Sequence, residues 1–141
     1  MAYNHILTVY DGTTESEDLL DMVCRIVRAH RGQLTILHVK LVPFAQPLPT
    51  WQPGADSEVD SLVSTAERFA DRRGVRAASA VRYARELGAA VVAEARSRGA
   101  DLIALLAPSI DQLLSDRSFG SGIEPLLRRA ACAVILFRPA R

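Results

Sequence analysis

Short apolar runs alternate with amphipathic stretches along the whole chain, and that alternation leaves few folds open. His5 to Tyr10 (HILTVY) reads as a buried strand that stops at the turn Asp11-Gly12-Thr13-Thr14. From Glu15 to His30 the residues Leu19, Leu20, Met22, Val23, Ile26 and Val27 recur at spacings of three and four, the pattern of a helix with one buried face. Gly32 stands where a left-handed stop is expected. Gln33 to Val39 predicts a second strand. The segment Lys40 to Ala55 carries Pro43, Pro47, Pro49 and Pro53, which exclude a helix or a central strand. A loop of that length is usually a cover or a mobile segment. Helix follows from Ser57 to Arg73, an Ala-rich strand from Val75 to Arg82, and helix from Glu86 to Arg98. Asp101 to Leu106 is apolar apart from its first residue, as a central parallel strand is. Ser121-Gly122-Ile123-Glu124 fits a capping box that opens a last helix to Ala130, and Ala133 to Phe137 is the last strand.

Five strands and four helices in strict alternation require crossovers, and crossovers are right-handed. The expectation is a single α/β domain over residues 1–141, an open, mostly parallel sheet with helices on both faces. Ligands on such sheets sit beyond the carboxyl ends of the strands, where the strand order switches. The segments to inspect are Tyr10–Thr14, Val39–Ala55, Arg82–Glu86 and Ala107–Gly122.

Composition narrows the function classes. Seventeen basic and sixteen acidic residues leave a net charge of +1, which argues against a general nucleic-acid or membrane-surface protein. Lys40 is the only lysine; every other basic residue is Arg. Cys24 and Cys132 lie far apart without a CxxC spacing, so neither a disulfide framework nor a zinc site follows, and both read as small buried hydrophobes. The start lacks the pattern of a signal peptide, and no apolar run approaches the roughly 20 residues that span a bilayer. The expected location is the cytoplasm. There is no GxxxxGK[ST], GxSxG or HExxH, no paired acid and base, and no metal cluster, so an enzyme reading finds no catalytic residues. His5, His30 and His38 have no ligand spacing and read as structural.

Several segments together resemble the universal stress protein family. They are the opening strand with Val9-Tyr10-Asp11-Gly12-Thr13, the run Gly32 to Val39, the run Gly99-Ala100-Asp101-Leu102-Ile103, and the tail from Gly120-Ser121 through Glu124, Leu127-Arg128, Ala130, Cys132 and Val134-Ile135-Leu136. The resemblance covers essentially the whole chain. It implies a Rossmann-like sheet in the order 3-2-1-4-5, and a homodimer through the edge strand Ala133–Phe137, whose apolar edge needs a cover. It also implies an adenosine contact at Asp11 and an adenine slot lined by Val9 and Val39. The alternatives are a turn or helix cap for Asp11 and plain core for the valines.

Nucleotide-binding members of that family carry G-x2-G-x9-G-[ST]. Here Gly120 and Ser121 match, but Ala107 and Ile110 stand where the first two glycines belong. Glycine lets a phosphate approach the backbone closely and permits positive φ, which Ile tolerates poorly. Pro108 removes a donor and Asp111 adds a negative charge. Each lost hydrogen bond to a charged group costs about 1.5–3 kcal/mol, or roughly one to two decades of affinity. Gly120, Ser121 and Gly122 still offer an anion nest at a helix start, and Ser109 a hydroxyl. The expected function is a non-catalytic stress-response or regulatory domain that binds ATP weakly or not at all, has no certain cofactor, and acts through an unknown protein partner or a different small anion. The alternatives are an ATP- or AMP-binding switch, and a slow nucleotide hydrolase resting on Asp11 and Asp111. Trp51 would cover the cleft or anchor the long loop, and Arg82 and Arg85 would meet an anion or remain solvated.

Overall fold

The computed structural model describes residues 2–108 and 123–140. Its elements alternate as β1 (His5–Val9), α1 (Thr14–His30), β2 (Gln33–Leu41), α2 (Ser57–Arg72), β3 (Ala77–Ala84), α3 (Leu87–Arg98), β4 (Leu102–Leu106), α4 (Ile123–Arg129) and β5 (Ala133–Phe137). The five strands form one sheet in the order β3-β2-β1-β4-β5, and every pairing is parallel. The order therefore switches between β1 and β4, whose carboxyl ends open the crevice where α/β sheets bind ligands.

Strand alternation builds two cores. Ile6, Leu34, Ile36 and Leu102 point to one face and pack with Leu19, Leu20, Val23 and Val27 of α1 and Ala66 and Ala70 of α2. Leu7, Leu37, Ile103 and Leu105 point to the other and meet Val91, Val92 and Ala95 of α3 and Leu126 of α4. The chain needs small residues where α3 lies on the sheet, and its Ala-rich sequence supplies them.

Several boundaries differ from the sequence reading by one or two residues, and three of the differences have a clear structural reason. β2 runs on to Leu41, and β3 lies over 77–84 rather than 75–82, because the register pairs Lys40 with Tyr83 and Leu41 with Ala84. The proline-rich connection thus begins at Val42, not Lys40. The left-handed residue closing α1 is Arg31 (φ 53°), not Gly32. Gly32 is required for another reason: a Cβ there would lie 2.7 Å from the Tyr3 carbonyl oxygen. Its N–H donates to Val27 O at 3.0 Å, closing the helix in a Schellman arrangement.

Candidate functional site

The turn after β1 is held by its own polar side chains. Tyr10 is buried and its N–H donates to Leu37 O at 3.0 Å, carrying the strand pairing one residue further. Gly12 then adopts φ +83°, which a residue with a Cβ rarely adopts. Asp11 Oδ1 accepts from Thr13 N–H at 3.0 Å and Thr13 Oγ1–H at 2.6 Å. Crowding in the turn works to raise the Asp11 pKa, but the Thr13 bonds outweigh it and hold the carboxyl below its ordinary value. The residue that caps α1 is Thr13, whose Oγ1 accepts from Ser16 N–H at 3.1 Å. Asp11 is therefore a brace for the cap rather than the cap. It remains exposed as an ionised carboxylate, with both Thr13 bonds on Oδ1.

Val9 and Val39 are half-buried on the face of α3 and α4, packed against the core that holds Leu7 and Leu37. The structure brings them and Asp11 to the carboxyl ends of the adjacent strands β1 and β2. His38 secures this corner: its Nδ1–H donates to Tyr10 O at 3.0 Å. The other histidines are structural too. His30 Nδ1 accepts from Tyr3 N–H, and His5 Nε2 bonds to Thr35 Oγ1 at 2.8 Å.

β4 ends at Leu106, beside this corner. Ala107 N–H donates to Phe137 O of β5 at 2.7 Å, and Pro108 has no N–H. The first two residues of the β4 connection thus offer no amide to a ligand. Ser109, Ile110, Asp111, Gly120, Ser121 and Gly122 lie outside the described residues.

Neither arginine at the end of β3 is simply solvated. Arg82 Nε donates to Glu94 Oε1 at 2.6 Å, and Arg98 Nε binds the other oxygen of the same carboxylate. Arg85 Nη1 donates to the carbonyls of Val42 and Pro43, and its guanidinium lies 5.4 Å from the Phe44 ring. A cavity of about 430 Å³ lies here, lined in part by Phe44, Leu48, Arg82, Arg85 and Ala93. Lys40 Nζ pairs with Asp56 Oδ2 at 2.8 Å, and Tyr83 OH donates to the same oxygen at 3.1 Å. Asp56 also caps α2 through Val59 N–H. Trp51 anchors the loop: its Nε1–H donates to Asp60 Oδ1 at 3.1 Å, and Gly54 N–H to Asp60 Oδ2 at 2.8 Å.

The sequence reading missed the Glu94 and Asp56 centres. Glu94 and Arg98 stand four apart on one helix, a local signal, but Arg82 reaches them only through the β3–α3 packing. Among the described residues no group of three His, Cys, Asp or Glu side chains is placed to hold a metal ion. Burial pushes the Cys24 thiol up to about 11 and raises Cys132, so neither is an activated nucleophile. No helix among the described residues is long and apolar enough to cross a membrane.

The universal stress protein family model matches residues 2–138. No curated protein matches the chain by sequence. Among solved structures, a universal stress protein in complex with cAMP superposes with a TM-score of 0.73 at 18% identity, over 99% of this chain and 100% of that one. The universal stress protein from Archaeoglobus fulgidus in complex with dAMP gives 0.71 at 16%, over 98% and 100%. A family protein from Arabidopsis thaliana with AMP bound gives 0.64 at 12%, over 97% and 92%.

Proposed function

The chain belongs to the universal stress protein family, and from that premise we propose that it is a non-catalytic regulatory domain that binds a nucleoside monophosphate in preference to ATP. Val9 and Val39 flank the adenine, Asp11 accepts from the ribose hydroxyls, and Gly120, Ser121 and Gly122 receive the phosphate, with Ser109 adding a hydroxyl. The observation that carries the reading is the bond from Ala107 N–H to Phe137 O. With that amide spent and Pro108 lacking one, the near side of the phosphate loop has fewer donors for a polyphosphate. The three structural relatives just described hold cAMP, dAMP and AMP, each with one phosphate. The protein works as a cytoplasmic homodimer paired through β5, where Leu136 is exposed on the sheet edge.

Thermal melts with AMP, cAMP and Mg-ATP at 1 mM test this. A ~10 μM site gains about 2.7 kcal/mol at that concentration, a shift of several degrees for a domain of this size. The expected result is a clear shift with a monophosphate, a smaller one with ATP, and loss of both in Asp11→Ala. A larger shift with ATP overturns the preference, and no shift with any nucleotide overturns the binding. ATP turnover that disappears in Asp11→Ala would restore the hydrolase reading.

A further inference from the structure

The fold sends the carboxyl end of each described helix to the amino edge of the sheet, opposite the Asp11 corner. The last turns there are basic: Arg28 and His30 on α1, Arg72 on α2, Arg96 and Arg98 on α3, Arg128 and Arg129 on α4. Arg31 and Arg76 follow in the connections. Among the described residues, Arg28, Arg31, Arg72, Arg76, Arg96 and Arg129 form no salt bridge. Asp71 and Asp101 share this end; Asp101 is occupied by the N–H groups of Asn4 and His5. A net charge of +1 thus conceals a basic pole.

Helix carboxyl ends favour cations, so basic last turns are expected in any such helix. The cavity on this pole is not explained that way. It measures about 310 Å³, and its lining includes His5, Gln33, Thr35, Arg76, Ala78 and Arg98. His5, Gln33, Thr35 and Ala78 lie on the α3 side of three neighbouring strands, and Arg76 leads into the third, with His5 paired to Gln33 and Thr35 to Ala78. Ala78 is small, so the floor stays open. Two of the groups are held in place. His5 is bonded to Thr35, and Arg98 is held by Glu94, which leaves its two Nη groups unused in any described hydrogen bond. The charge of Glu94 is shared between Arg82 and Arg98, and no carboxylate is among the lining residues.

We propose that this cavity is a second ligand site, independent of the nucleotide corner, that binds a compact oxyanion: a phosphate group, free or carried by a small molecule. The guanidinium forks of Arg76 and Arg98 supply charge-assisted donors, and Gln33 and the His5–Thr35 pair supply polar contacts at the floor.

The test is an amide NMR titration of the whole protein at constant ionic strength, with inorganic phosphate and separately with glycerol phosphate. Saturable shifts are expected at His5, Gln33 and Ala78, unchanged in Asp11→Ala. Arg76 is exposed, so Arg76→Ala leaves the fold intact; it is expected to weaken binding about tenfold, the loss of one charge-assisted bond. Arg31→Ala, on the same pole but outside the cavity, is expected to change nothing. Tighter binding of the ester identifies a phosphorylated small molecule as the ligand, and the reverse identifies free phosphate. Shifts that do not saturate, or an equal loss in Arg76→Ala and Arg31→Ala, would show a diffuse field without a site and overturn the proposal.

Discussion

Among the described residues Glu94 is the charged side chain most deeply committed to the interior, 8% exposed and bracketed by two arginines. Burial works to raise its carboxyl pKa, but the bonds from Arg98 and Arg82 override it and hold the value below the ordinary 4.5. A lowered folded value means stability that is fully present above the unfolded pKa and is lost as pH falls through the folded one. Glu94→Gln is expected to cost about 1–2 kcal/mol at neutral pH, discounted because each arginine is about a third exposed. Denaturant melts from neutral to acid pH check this. The gap between the two proteins closes below the lowered pKa; a gap that stayed constant would exclude the charge as its source. Gly32 shows a different kind of commitment. Its composition-level role is a helix stop, yet what it supplies is room for the Tyr3 carbonyl, since the φ that ends the helix belongs to Arg31.

The connection from Val42 to Ala55 has no regular structure beyond turns, but it is tied at both ends. Asp56 joins Lys40 and Tyr83 to the start of α2, while Asp60 holds Trp51 and Gly54. Four prolines limit its unfolded freedom, which lowers the entropy lost on ordering it. Because Trp51 is the only tryptophan, its fluorescence reports this loop alone. Asp60→Ala is expected to shift the emission to longer wavelength and to speed proteolysis between Val42 and Ala55, leaving the global melt nearly unchanged. Unaltered emission would mean that the indole is held by packing rather than by the carboxylate. Phe44 and Leu48 of the same segment stay exposed at the mouth of the cavity beside Arg85.

For the molecule as a whole, the open edges of the sheet are the outstanding feature. β5 is an apolar edge strand, and Leu136 is 39% exposed on it. The proposed pairing of two copies there makes an isologous contact, so one substitution is felt twice. Leu136→Asp is expected to turn a dimer into a monomer in sedimentation velocity at unchanged helix content. A wild-type monomer at the same concentration would refute the pairing. The two ends of the sheet also differ in charge: exposed acids such as Asp11, Glu15 and Glu58 lie at the carboxyl edge, and Arg28, Arg31, Arg72, Arg76 and Arg96 lie at the amino edge.

Strand and helix periodicity, together with turn residues such as Asp11-Gly12 and Gly99, were enough to read the element order and the parallel sheet. These features are written in neighbouring residues, and crossover handedness does the rest. Asp11, Val9 and Val39 could be picked out only through the family resemblance, and the loss of two motif glycines was visible by counting. The Arg82–Glu94–Arg98 bracket, the Lys40–Asp56–Tyr83 knot and the Asp101 clasp on the start of β1 could not be read that way. Each joins side chains whose separation depends on register and helix placement, and no local pattern encodes either. The bond that spends the Ala107 amide depends likewise on β5 lying beside β4. The cavity at the basic pole arises because three strands and one helix end converge there, and convergence in space leaves no mark on any single stretch of chain.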